Sequence, residues 1–305
     1  MTLAVAAQTE VVWLDWDNYL AWLRGELRQA RNAAGELLTL GAPLEPGQHM
    51  AIIGPTGCAK TTHAVGFLGG NRRYVLALDP KGEDETLAAS GYLRVRSLPK
   101  PGWRGFVDRV LGRGDQRTWE QIWRRIDNGQ DARVIVGGGS RTDAEDEALR
   151  ALMRDAITFA RHSPGWCLYV DEFELLSSQR MMRLGDMIER MLITARRDRT
   201  SVVTTFQAPA WVSKHATRQA RKAVLYPQSG AMVKSLADEM VWDWKELAAV
   251  LDMLPEFHTA TVGRGPLSGP IVITKAPRLA APRRPAANGQ NGGSSPPDAR
   301  RSRER

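Results

Sequence analysis

Apolar residues along this chain switch between two spacings, and the switches predict the elements of its core. Residues 49–53, 73–78, 132–136, 166–170, 201–206 and 222–226 form short, nearly continuous apolar runs. Each is bounded by Gly, Pro, Asp or Gln, the pattern of buried strands. Residues 92–96 read as a further strand, and 271–274 as an added edge strand. Between them the period lengthens to that of a helix. Helices are expected over 60–68, 143–162 and 181–196, where Leu149, Leu152, Met153, Ala156, Ile157 and Ala160, then Leu184, Met187, Ile188, Met191 and Leu192, share a face. Residues 1–45 also read as helical, because Trp13, Trp16, Leu20, Leu23, Leu27 and Ala30 recur every three or four positions. That stripe packs on the core or, given its tryptophans, meets another subunit.

Strands alternating with helices imply a mostly parallel α/β sheet covered on both faces. The expected organisation is a helical N-terminal region (1–45), a core domain (46–275) and a tail (276–305). Residues 99–131, rich in Trp, Arg and Gly and without a clean period, read as an insertion. The tail is dominated by Pro, Ala, Gly, Asn, Ser and Arg and is expected to be disordered, since it has too little apolar surface to offset its ordering entropy.

Charge changes this picture only modestly. The 305 residues carry a net +8, which favours anionic partners, nucleic acid first. Seven arginines against Asp298 and Glu304 put +5 in the segment from Arg278 onward, leaving +3 for the first 277 residues. Cys58 and Cys167 are too few for a disulfide framework, which suggests a reducing compartment. No apolar run reaches the roughly 18 residues of a membrane span. The expectation is a soluble protein of the cytoplasm.

The candidate chemistry begins after the first core strand. Gly54-Pro55-Thr56-Gly57-Cys58-Ala59-Lys60-Thr61, followed by Thr62, approximates the phosphate-binding loop G-x-x-x-x-G-K-[ST] between a strand and a helix. Successive backbone N–H groups and the helix N-terminus make an anion cradle for ATP. Lys60 would meet the β- and γ-phosphates, and Thr61 would hold Mg²⁺. Ala59 replaces the second glycine. One methyl group is tolerated there if φ is negative. Cys58 reads as a small filler or as a redox-sensitive thiol.

The strand 167–170 ends in Asp171-Glu172. Asp171 is the candidate Mg²⁺ ligand and Glu172 the candidate general base for the attacking water. Gln207, at the end of the next strand, would lie beside the γ-phosphate. Arg196, Arg197 and Arg199 precede that strand and could stabilise transition-state charge or simply cap a helix end. Arg104, Arg109, Arg113 and Arg117 are candidate DNA contacts or solvated surface charges.

Four stretches together resemble the FtsK/HerA group of ring-forming ATPases: residues 53–62, the strand ending in Asp79-Pro80-Lys81-Gly82, residues 168–172, and 195–209. That group includes DNA translocases, conjugative coupling proteins and the packaging ATPases of some viruses. The resemblance implies a RecA-like P-loop NTPase core with strand order 5-1-4-3-2. It also implies a hexameric ring with ATP and Mg²⁺ between subunits and double-stranded DNA threaded through. It singles out Arg196, eleven residues before Gln207, as the catalytic arginine. The compact chain is more like a viral packaging or mobile-element protein, partnered by a capsid or relaxosome component. The alternative is an ATPase that drives protein export or virion assembly.

Overall fold

The computed structural model describes residues 9–82, 84–99, 113–138, 142–178, 182–194, 197, 199–208 and 214–277. In chain order the elements are β1 (Val11–Trp13), α1 (Trp16–Arg24), β2 (Gln29–Arg31), β3 (Leu37–Thr39), β4 (His49–Ile53), α2 (Lys60–Asn71), β5 (Tyr74–Asp79), α3 (Glu85–Ala89), β6 (Leu93–Val95), α4 (Arg113–Asp127) and β7 (Ala132–Gly137). They continue with α5 (Asp143–His162), β8 (Trp166–Val170), α6 (Phe173–Ser177), α7 (Gly185–Thr194), β9 (Ser201–Phe206), α8 (Lys214–Arg218), β10 (Ala220–Leu225), α9 (Gly230–Met240), α10 (Trp244–Asp252), β11 (His258–Val262) and β12 (Ile271–Lys275).

The main sheet runs β1-β12-β11-β10-β4-β9-β8-β5-β7-β6. Its centre, β10-β4-β9-β8-β5, is parallel throughout and reproduces the order 5-1-4-3-2. Side chains alternate between the two faces with period 2. Ile53, Leu78, Leu168 and Val202 join a core under α4, α5, α7, α9 and α10, while Ile52, Ala77, Tyr169 and Val203 join a second core under α1, α2 and α3. Burial of both faces explains why these strands read as unbroken apolar runs. Truncating Ile52, fully buried on β4, to alanine should cost about 2–5 kcal/mol.

The N-terminal region departs from the helical expectation. The helix Trp16–Arg24 forms, capped by the Asp15 carboxylate on the Asn18 N–H, and buries Tyr19, Trp22 and Leu23. Gly25, at φ 80°, then ends it in a left-handed cap. Leu27 and Ala30 keep the helical spacing but lie beyond that stop, where β2 and β3 pair as a small antiparallel hairpin. Trp13 lies on β1, which runs parallel to β12. So β12 is not the edge strand; β1 is. The expected insertion also contains a core helix, since Trp119 and Ile122 of α4 are fully buried against β6 and β7. Residues 100–112, including Arg104 and Arg109, lie outside the described residues, as do 278–305 of the basic tail. Among the described residues, no helix is long and apolar enough to cross a membrane.

Candidate functional site

The parallel centre of the sheet places the ends of β4, β9, β8 and β5 side by side, and the candidate residues lie there. β4 is buried along its length and feeds the loop beginning at Gly54, whose N–H donates to Phe206 O on β9 (3.2 Å). A Cβ on Gly54 would come within 2.7 Å of both Cys58 Sγ and Tyr226 Cβ, so only glycine fits. The tip residues Pro55, Thr56 and Gly57 are exposed, while Cys58, Ala59, Lys60, Thr61 and Thr62 are half-buried. Burial pushes the Cys58 thiol up, opposed in part by the Lys60 charge. That supports the filler reading over a reactive thiolate.

Ala59 does not meet the condition of negative φ under which its methyl group would be tolerated. It sits at φ 75°, ψ 30°, in the left-handed region, immediately before α2. The second glycine of the motif would reach that conformation freely; alanine reaches it against a steric cost. Its carbonyl accepts from the His63 N–H (3.0 Å) and from the Tyr226 hydroxyl (3.1 Å). Tyr226, at the end of β10, thus fixes the loop from the side. Lys60 Nζ donates to Gly54 O and Pro55 O, both at 2.8 Å, which holds its charge over the loop.

Across the loop, Thr61 Oγ1 donates to Asp171 Oδ1 at 3.5 Å. The same oxygen accepts from the Tyr169 hydroxyl (2.7 Å) and the Thr205 hydroxyl (2.7 Å). Asp171 is 7% exposed, and burial pushes its carboxyl up to about 6, against the pull of the Thr205 and Tyr169 hydroxyls. Neither partner was identified from sequence. Tyr169 lies two residues before Asp171, the strand spacing that puts both on one face, and Thr205 lies on the adjacent strand.

Glu172 follows at φ 47°, and its backbone N–H donates to Thr205 Oγ1 (3.0 Å). Its carboxylate faces Lys81 of the Asp79-Pro80-Lys81-Gly82 turn. Gln207 stands at the end of β9, and its N–H donates to Glu174 Oε1. Glu174, on α6, is a further carboxylate that sequence reasoning passed over; burial pushes it up, with Lys60 pulling the other way, and its Oε2 is buried without a partner. The loop, Thr61, Asp171, Glu172 and Gln207 therefore converge at one end of the sheet. Arg196 lies outside the described residues.

Oxygen donors from separate elements meet at Thr61 and Asp171, and such donors suit Mg²⁺. Burial works against the Asp171 charge, and a divalent cation beside it would offset that cost.

The sheet order and the strand–loop–helix cradle define a RecA-like P-loop ATPase fold. No protein-family model matches the chain, and no curated protein matches it in sequence. Among solved structures it is similar in fold to FtsK/HerA-type P-loop ATPases. VirB4 of Thermoanaerobacter pseudethanolicus aligns with a TM-score of 0.52 and 13% identity, covering 83% of this chain and 96% of that one. The bacterial conjugative coupling protein TrwB, in an unbound form, aligns with a TM-score of 0.50 and 12% identity, covering 91% and 95%. The DNA-packaging ATPase B204 of Sulfolobus turreted icosahedral virus aligns with a TM-score of 0.46 and 16% identity, covering 77% and 100%.

Proposed function

We propose that this chain is an ATP-hydrolysing motor that moves double-stranded DNA, encoded by a virus or a mobile element. The observation that carries the ATPase reading is the meeting of Thr61 and Asp171 beside the phosphate loop, with Glu172 next in the chain. The DNA step rests on the likeness in fold to a conjugative coupling protein and on the basic surface described below. The proposed ATPase domain spans 46–275, with residues 1–45 as the N-terminal region and 276–305 as a basic tail.

The loop N–H groups and the N-terminus of α2 bind the phosphates, with Lys60 on the β- and γ-phosphates. Thr61 and Asp171 would hold Mg²⁺, which supplies positive charge to the phosphoryl oxygens when bound. Glu172 takes the proton of the attacking water. Gln207, one residue past β9, reports the γ-phosphate to the sheet. Arg196 is the proposed charge partner of the transition state, in cis or from a neighbouring subunit of a homo-oligomeric, hexameric ring.

DNA contact would be electrostatic and independent of base sequence. Two basic grooves open at the end of the sheet away from the loop. Among the described residues, Arg161, Arg197 and Arg199 line one, and Arg218, Arg221 and Arg264 the other, with Arg218 paired to Glu239. A capsid or relaxosome component is the proposed protein partner.

The test is ATP turnover by the full chain alone, with duplex DNA and with single strands. Strong stimulation by duplex is expected. Equal rates in all three would refute the DNA motor and leave the protein-export alternative.

A further inference from the structure

The turn Asp79-Pro80-Lys81-Gly82 has no part in the chemistry assigned above, yet it is built rigidly and against the site. Asp79 is 1% exposed, and its carboxylate is spent on the turn itself. Oδ1 accepts from the Gly82 N–H (2.9 Å), and Oδ2 accepts from the Asp84 N–H (3.3 Å) and lies 3.6 Å from Arg94 Nη2. Gly82, at φ 72°, closes the turn. Because β5 and β8 are parallel neighbours, with Leu78 opposite Val170, the turn emerges beside Asp171 and Glu172. The Asp171 N–H donates to Leu78 O (3.1 Å), which ties the two strand ends together.

Lys81 stands at the tip of this turn, with Nζ 2.5 Å from Glu172 Oε1. The Glu172 backbone is held from the other side, by Thr205 on β9. The carboxylate is thus fixed between two strands, with Oε1 taken by the ammonium. The pair adds little to stability, because the Lys81 side chain is 58% exposed and water screens it. Its effect on geometry is larger. Asp171, Glu172 and Glu174 crowd three carboxylates into one turn, within reach of the Lys60 and Lys81 charges.

We propose that Lys81 is the positioning residue for Glu172: it engages Oε1 and so directs Oε2 at the attacking water. This rests on the assignment of Glu172 as base. A base displaced by about 1 Å loses on the order of a hundredfold in rate. Removing the ammonium without moving the backbone should cost part of that.

The experiment is a double-mutant cycle on the full chain, read by steady-state ATP hydrolysis followed for hours so that residual rates are measured. Lys81→Met should lower kcat about ten- to a hundredfold, leave KM for ATP within about twofold and leave the thermal midpoint unchanged. Lys81→Arg, which keeps the charge, should recover most of the loss. In a Glu172→Gln background, Lys81→Met should change the residual rate by less than about twofold, because the carboxylate it orients is gone. Three results would overturn the proposal: an equal loss from Lys81→Met in both backgrounds, a raised KM with kcat intact, or an unchanged or faster kcat. If Glu172→Gln itself turns over normally, the base assignment fails and the positioning role falls with it. If Glu172→Gln is slow and Lys81→Met is not, only the positioning role fails.

Discussion

Replacing Ala59 by glycine should stabilise this protein, the reverse of what that exchange does at an ordinary helical position. Ala59 is held at φ 75°, ψ 30° between the loop and α2. Its carbonyl is committed to the His63 N–H and the Tyr226 hydroxyl, so it cannot relax by turning. A left-handed conformation costs an L-residue about 1–2 kcal/mol through the approach of Cβ to a carbonyl oxygen. Glycine avoids that cost but adds freedom to the unfolded chain, which takes back about 0.4–1 kcal/mol. The net expectation is a gain of about 0.5–1 kcal/mol. For a chain of 305 residues that corresponds to a rise of about 1–2 °C in the unfolding midpoint. The assay is thermal or urea unfolding of Ala59→Gly beside the parent protein, without nucleotide. Ala59→Val serves as a control and should be less stable than either. If Ala59→Gly instead loses about 0.8–1 kcal/mol, the ordinary cost of glycine in a helix, the strained loop is refuted.

Other consequences concern buried charge and DNA. Lys222 is 2% exposed on β10, its Nζ 4.4 Å from the Trp22 ring, and burial pushes its ammonium down to about 7. That cost to folding is present at and below pH 7 and fades as pH rises toward 10.5; a depression this large amounts to about 4–5 kcal/mol, less up to about 2 for the cation–π contact. Lys222→Met should therefore raise unfolding free energy by about 2–3 kcal/mol at pH 7, and a loss of stability would contradict this. His49 is buried and neutral: Nδ1 accepts from the Val202 N–H and Nε2 donates to Leu192 O, both at 3.0 Å, and burial pushes it down to about 4. The stability it contributes is complete above about 6.5 and is lost as pH falls toward 4, about 3 kcal/mol in all; His49→Gln should flatten that slope in pH-dependent unfolding. Charge reversal at Arg199 or Arg221 should weaken duplex affinity and lower its salt dependence without changing turnover in the absence of DNA. Unchanged salt dependence would remove these grooves from the DNA path.

Much of the sheet was legible because its central strands are buried on both faces, which leaves short, unbroken apolar runs. The boundaries of β4, β8 and β9 follow from those runs alone, and those of α5 from its helical period. The N-terminal hairpin was not legible, since Leu27 and Ala30 fit a helical period by coincidence and the stop at Gly25 depends on its left-handed cap. β1 and β11 were passed over because one is only three residues long and the other, His258–Val262, is rich in threonine rather than aliphatic residues. In the site, the loop and the Asp171-Glu172 pair announce themselves by motif. Their supports do not: Tyr226 and Thr205 reach the site only through tertiary pairing, Glu174 lies two residues past Glu172 outside the motif, and the φ of Ala59 follows from the loop's closure rather than from residue type.

The hydrolytic assignment is tested most directly by Glu172→Gln, assayed for ATP binding and for turnover with Mg²⁺ and duplex DNA. The account predicts ATP affinity within about twofold of the parent protein and turnover lower by about a hundredfold or more. Turnover within about twofold of the parent protein would contradict it.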